Sequence, residues 1–239
     1  MTREQPKQAP PPVQRLRVRY AKRGRLRFTS HRDFSRAFER AVFRARLPMA
    51  YSSGFNPHPR ISYAGAAPTG SASEAEYLEL ALAEEVEPAA VLAALDDALP
   101  DGLDVVEVVV SPGGGLSDLL QVSHWRMVLP VPVDRAEVAV AEFLAADEVL
   151  VERMTKKGLR AFDSRAAVLS LAALRDGDGD GAVLDLVLRH LEPAVRPDDV
   201  LSGLSSVAGL EPAGVPLLTR LAQGPLDPGT GEIGDPLRP

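Results

Sequence analysis

The sequence predicts an α+β protein of two packed ferredoxin-like domains, each a split βαβ unit with an antiparallel sheet. Three observations lead there. Residues 14–110 alternate between extended and helical periodicity in the order β-α-β-β-α-β. The run "SPGGGLSD" (Ser111–Asp118) then interrupts the chain with three consecutive glycines, which neither a helix nor a strand interior favours. Beyond it the order of elements recurs in part, without a residue-level repeat. The expected organisation is a disordered tail over 1–13, a basic ferredoxin-like domain over 14–111 and a Gly-rich linker over 112–118. A second α+β domain over 119–222 and a flexible tail over 223–239 follow.

Residues 1–13 are polar and Pro-rich, a composition that does not build a core. "RLRVRYA" alternates Arg15, Arg17 and Arg19 with Leu16, Val18 and Tyr20, which predicts a half-buried strand with one cationic face. "KRG" turns the chain and "RLRFT" continues extended. Ser30 and Asp33 form the S-x-x-D pattern of a capping box. Phe34, Ala37, Phe38, Ala41, Val42 and Ala45 follow at helical spacing until Pro48 ends the helix. "MAYSSGF" reads as a short strand and "NPHPRISYAGAAPTG" as a long connection. "EYLELAL" alternates again. "PAAVLAALDDAL" is a helix with Pro88 in its first turn, where a missing N–H costs nothing. "LDVVEVVV" is a buried strand.

In the second half "HWRMVLPV" predicts a strand and "DRAEVAVAEFLAA" a helix with Asp134 at its cap. "VLVERMT" and "DSRAAVLSLAAL" are strands around "KKG". "AVLDLVLRH" is a strand, "RPDDVLSGLSSVAG" a helix, and "GVPLLTRLAQ" a closing strand. "DGDGDG" (Asp176–Gly181) opens like a calcium loop, but its twelfth position is Val187 where a bidentate Glu is required. The run from Gln223 onward is rich in Gly and Pro and reads as a tail.

Net charge is −6, but it is unevenly spread: residues 1–60 carry 15 Lys/Arg against 3 Asp/Glu, and residues 61–239 carry 12 against 30. Such asymmetry points to a basic surface for a polyanion. The chain has no cysteine, so it offers no disulfide and no thiolate for a metal or an iron–sulfur cluster. Its first residues lack the apolar stretch of a signal peptide, and no apolar run reaches the length of a membrane span. A cytoplasmic protein without membrane attachment is expected.

The basic residues fall into groups. Arg15, Arg17, Arg19 and Lys22 lie on or beside the first strand, while Arg32, Arg36, Arg40 and Arg44 recur at every fourth position of the helix. Like charges one turn apart repel by roughly 0.2–0.5 kcal/mol per pair. A stripe kept at that cost suits a phosphate-binding face; a solvated face paired with acids elsewhere is the plainer reading. In "GFNPHPR", prolines bracket His58, and Arg60 adds a donor for a phosphate or base. Tyr51, Phe55 and Tyr63 are candidates for base stacking or for the core. His31 has no capping role, unlike Ser30 and Asp33. Arg153, Lys156, Lys157, Arg160 and Arg165 form a second basic group around an ordinary hairpin turn. His31, His58 and Asp33 are metal-ligand types at long spacing with no short ligand pair, so no metal and no cofactor is assigned. Glu74, Glu76 and Glu79 read as a solvated strand edge rather than a catalytic pair.

The stretch from Tyr20 to Leu80, and above all S-H-x-D followed by G-F-N-P-H-P-(Lys/Arg), resembles the radical-SAM-associated protein family. The likeness continues weakly through "ERMTKKGLRAFDSR" and "VRPDDVL". The matching motif positions are Ser30, His31, Asp33, Asn56, Pro57, His58, Pro59 and Arg60. Arg32 stands where Leu is common, and Arg60 where Lys is common. The resemblance implies a stand-alone form of a domain otherwise fused to radical-SAM enzymes, with RNA as the shared object. With no cysteine, this chain itself holds no radical-SAM cluster. The expected function is an RNA-binding accessory protein working with a radical-SAM enzyme. The alternatives are an enzyme using His31 and His58 on a small anion, and a protein-interaction module that docks the radical-SAM partner.

Overall fold

The alternation of Arg15, Arg17 and Arg19 with Leu16, Val18 and Tyr20 becomes β1 (Gln14–Lys22), whose apolar members enter a core. The structure is a computed structural model and describes residues 8–155, 158–177 and 181–239. The chain is α+β and forms two compact units, Met1–Leu119 with Pro236–Pro239, and Leu120–Asp235.

In the first unit β1 is followed by α1 (His31–Arg44), β2 (Ile61–Ala64), β3 (Ala72–Leu82), α2 (Pro88–Ala98), β4 (Leu103–Val110) and the single turn α3 (Leu116–Leu119). Within this unit the strands pair antiparallel in the order β4-β1-β3-β2. The amphipathic stripe of α1 lays Phe34, Phe38, Ala41 and Val42 against Leu16, Val18 and Tyr20 of β1 and Leu78, Leu80 and Leu82 of β3. Tyr20 and Phe34 stack at 4.4 Å. Each such buried aromatic or leucine adds about 1.5–3 kcal/mol of hydrophobic stabilisation. Α2 closes the core with Val91 and Leu95.

Two elements of this unit differ from the sequence expectation. "RLRFT" is not extended; Gly24–Phe28 wind into a 3-10 turn, with Leu26 N–H donating to Arg23 O and Thr29 N–H to Leu26 O. "MAYSSGF" is not a strand either. It makes isolated bridges, Met49 to Leu82 and Tyr51 to Pro59, and the strand is β2, within the stretch expected as a connection. Gly54 at φ +130° and the donorless Pro57 and Pro59 break any longer ladder before Ile61.

The second unit contains β5 (Val122–Leu129), α4 (Val133–Ala145), β6 (Leu150–Thr155), β7 (Gly158–Asp163), β8 (Val168–Arg175), β9 (Ala182–Arg189), α5 (Pro197–Ala208) and β10 (Leu217–Gly224). Its sheet runs β10-β5-β9-β8, antiparallel, with β6 and β7 forming a separate hairpin. "DSRAAVLSLAAL" therefore divides. The β6 partner ends at Asp163, and β8 joins the sheet on its own. Asp163 makes the break: its carboxylate accepts from both the Val149 and Arg165 N–H groups, turning the chain. Pro132, not Asp134, caps α4, and Asp134 sits in its first turn. Residues 178–180 of "DGDGDG" lie outside the described residues.

The described terminal segments are ordered, which corrects the expectation of disordered and flexible tails. Ala9 N–H donates to Ser53 Oγ and Val13 N–H to Leu82 O; residues 1–7 of the expected tail lie outside the described residues. Β10 continues through Gly224, Leu226 bridges Ile233, and Leu237 is 1% exposed. The Asp227 carboxylate accepts from the Thr230 and Gly229 N–H groups, which hold it below its ordinary pKa. Here Gly and Pro build turns between anchored residues instead of loosening the chain. Among the described residues no helix is long and apolar enough to cross a membrane.

Candidate functional site

The basic residues of β1 are largely spent inside the first unit. In the β1–β3 and β1–β4 registers Glu79 lies opposite Arg17, and Glu107 lies opposite Arg19. Arg15 Nη1 donates to Glu79 Oε1 at 2.8 Å, while Arg19 Nη2 lies 3.8 Å from Glu107 Oε2. Arg17 is 0% exposed. Its guanidinium donates to Pro236 O at 2.8 Å and to the Gly113 and Gly114 carbonyls at 2.6 and 3.3 Å, with Glu79 at 3.8 Å. Gly113 and Gly114, at φ +93° and +72°, turn those carbonyls inward. Lys22 is 5% exposed, with Nζ at 3.4 Å from Pro68 O. Arg23 grips Glu74 through two nitrogens and also Asp104; the Glu74 hydrogen bond, against some desolvation, raises its already high pKa. The expected cationic strand face is thus corrected. Strand pairing supplies the acids to Arg15 and Arg19, and Arg17 and Lys22 are buried inside the unit.

The stripe on α1 is different. Arg32, Arg36, Arg40 and Arg44 are all exposed. Arg44 donates to Ala98 O at 3.1 Å. Among the described residues Arg32, Arg36 and Arg40 make no ion pair, although Glu39 lies between the last two. Arg36, Glu39, Arg40 and Phe43 line a shallow pocket of about 330 Å³, and Phe43 is 75% exposed. Phe43 is the residue the sequence reading passed over. Its signal was its position, outside the apolar set of Phe34, Phe38, Ala41 and Val42 and between two arginines.

At the head of α1, Ser30 Oγ accepts from Asp33 N–H at 3.2 Å and donates to Asp33 Oδ2 at 2.7 Å, so this pair caps the helix. His31 is exposed, and its ring and that of Tyr63 are T-shaped with centroids 5.2 Å apart. It borders a cavity of about 10 Å³ shared with Thr29, Lys22 and the buried Glu76, space for roughly one water molecule. Tyr63 belongs to the core wall, not to a stacking platform. Burial pushes its hydroxyl up to about 12, opposed by the neighbouring Ser35 hydroxyl. Ser35 Oγ itself donates to His31 O, and among the described residues the buried Tyr63 Oη makes no full hydrogen bond.

The "NPHPR" loop is held at its base. Ser52 N–H donates to His58 O, His58 N–H to Ser52 Oγ, and Arg60 N–H to Ala50 O. His58, Asn56 and Pro57 are exposed, as are Phe55 (69%) and Tyr51. Arg15, Ser52, His58, Arg60, Ser62 and Glu79 are among the residues lining a cleft of about 410 Å³. His31 and His58 border different cavities, so the described geometry does not gather them at one site. Among the described residues no group of three or more His, Asp or Glu is placed to hold a metal ion.

In the second unit the hairpin cations also divide. Arg153 bonds to Asp199 and to Ala194 O and covers the Phe162 ring, while Arg165 reaches the Val168 and Leu144 carbonyls. Arg160 is exposed opposite Arg153 in the hairpin register. Lys156 and Lys157 lie outside the described residues.

No curated protein matches the chain. A family model described as "Uncharacterized protein conserved in bacteria (DUF2344)" matches residues 15–197, which takes in β1, the arginine stripe, the S-H-x-D and G-F-N-P-H-P-R motifs and most of the second unit. The chain belongs to this bacterial family.

Proposed function

We propose that this protein is an RNA-binding accessory that works with a radical-SAM enzyme. One observation carries the RNA half. Arg32, Arg36 and Arg40 stand exposed along one helix, without an ion pair among the described residues, while the cations of β1 are matched internally. A stripe of like charge costs helix stability, and a phosphate backbone recovers that cost. The test is RNA binding measured across a salt series with the double variant Arg36→Glu/Arg40→Glu. Affinity is expected to fall by about tenfold or more at moderate salt. A double variant that binds as the wild type does sinks the proposal.

The radical-SAM half rests on the motif resemblance; these 239 residues contain no cysteine and so supply no thiolate for a cluster themselves. A cytoplasmic setting belongs to the same reading. We also read each unit as a variant of the split βαβ plan; the strand orders β4-β1-β3-β2 and β10-β5-β9-β8 support it, with the β6–β7 hairpin as an addition. The acid–base alternative has less support, since its two histidines border separate cavities. The docking alternative, in which a basic face holds the radical-SAM enzyme, predicts a complex that survives nuclease treatment and is weakened by the arginine double variant.

A further inference from the structure

Phe43 sits where an aromatic ring gains nothing from folding. Phe34 and Phe38 on the same helix are buried in the core, yet Phe43 faces water in a pocket it shares with Arg36, Glu39 and Arg40. Three, four and seven residues separate Phe43 from Arg40, Glu39 and Arg36, so all four side chains share one side of the helix. The pocket, at about 330 Å³, is at the small end of the range for ligand sites. Its chemistry is mixed in an informative way. A site for phosphate alone gains from both guanidinium groups but is weakened by the Glu39 carboxylate, which repels an anion. A nucleotide uses all four. Its phosphates pair with the arginines, its base stacks on the ring, and an amino group on the base edge donates to the carboxylate.

We infer that this pocket takes an unpaired base of single-stranded RNA, stacked on Phe43, with Arg36 and Arg40 on the flanking phosphates and Glu39 accepting from the base's exocyclic amino group. The inference rests on the reading of α1 as an RNA-binding face and narrows it. Duplex RNA offers the same phosphates but keeps its bases stacked within the helix, so it reaches the arginines and not the ring. Uracil lacks an exocyclic amino group, so cytosine-rich strands bind better than uracil-rich ones.

The experiment is fluorescence anisotropy on the full chain with three labelled probes: a cytosine-rich strand, a uracil-rich strand and an RNA duplex of equal length. Phe43 is exposed, so its replacement leaves the core intact, and circular dichroism checks this. Phe43→Ala is expected to weaken single-strand binding by about tenfold and leave duplex binding unchanged, while Phe43→Trp restores the single-strand affinity. Glu39→Gln is expected to narrow the preference for cytosine over uracil. If Phe43→Ala binds the single strands as well as wild type, or weakens strand and duplex alike, base stacking is overturned. The RNA face itself then still stands, provided that Arg36→Glu/Arg40→Glu reduces binding to both. If the arginine double variant changes nothing, both readings fall. Heparin competing equally with RNA in both wild type and Phe43→Ala would mark a general polyanion surface and overturn the inference.

Discussion

Arg17 and Arg36 look alike in sequence, each one member of a basic run, and the fold gives them opposite roles. Arg17 is fully buried between carbonyl oxygens and Glu79, so replacing it strands those acceptors. Arg17→Met is expected to cost about 3–5 kcal/mol in chemical denaturation. Arg36→Ala, at an exposed position, should stay within about 0.5 kcal/mol of wild type. Equal effects would refute this division of the arginines. Tyr63 gives a pH signature. Burial raises its hydroxyl from 10.0 to about 12, so the folded state holds the proton more tightly than the unfolded chain. The stability this contributes is complete below about pH 10 and is lost as pH rises through about 12. Unfolding midpoints measured across that alkaline range should decline, and Tyr63→Phe should flatten the decline. Since the Oη lacks a full hydrogen bond among the described residues, the same variant should be neutral or more stable by up to about 1 kcal/mol at neutral pH.

Among the elements, α4 and α5 meet at Gly203, where hydrogen is the largest side chain that fits. A Cβ there would come within 2.7 Å of Phe143 Cε2 and 2.9 Å of Ser164 Oγ. Gly203→Ala is therefore expected to destabilise by about 1–3 kcal/mol in thermal unfolding, despite the better helix propensity of Ala. Elements with strong periodicity were legible in the sequence. Β1, α1, β3, α2 and β4 stand close to where alternation and the i, i+3, i+4 pattern put them. Short elements were not. Β2 has four residues, too few for a period, and the seven-residue run Met49–Phe55 upstream offered four apolar residues of its own. The division between β7 and β8 depends on Asp163 reaching back to Val149, a contact that local pattern does not encode. Of the candidate site, the α1 stripe could be read from spacing alone. The neutralisation of β1 could not, because Glu79 and Glu107 lie 62 and 88 residues from the arginines they face and meet them only through strand register.

The whole chain divides its charge so that the first 60 residues are basic and the rest acidic, yet most of β1's share is cancelled locally. What the protein offers to a polyanion is therefore smaller than its composition suggests. If Arg32, Arg36 and Arg40 are the phosphate contacts, log affinity for single-stranded RNA against log salt should have a slope of about −2. A slope near zero would contradict a phosphate-led interface, and one several-fold steeper would call for cations beyond α1.

The carbonyl of Pro236, which accepts from buried Arg17, belongs to the segment Pro236–Pro239 that returns to the first unit after the second is complete. Donor and acceptor are 219 residues apart. On a ribosome adding about 5–20 residues per second, β1 exists for roughly 10–40 s before that acceptor is made. The second unit receives its last residue, Asp235, just before that acceptor, so the first unit is the last to have all of its residues. Until then the Arg17 guanidinium has only its earlier partners, the Gly113 and Gly114 carbonyls and Glu79, and its last acceptor arrives with the end of the sequence.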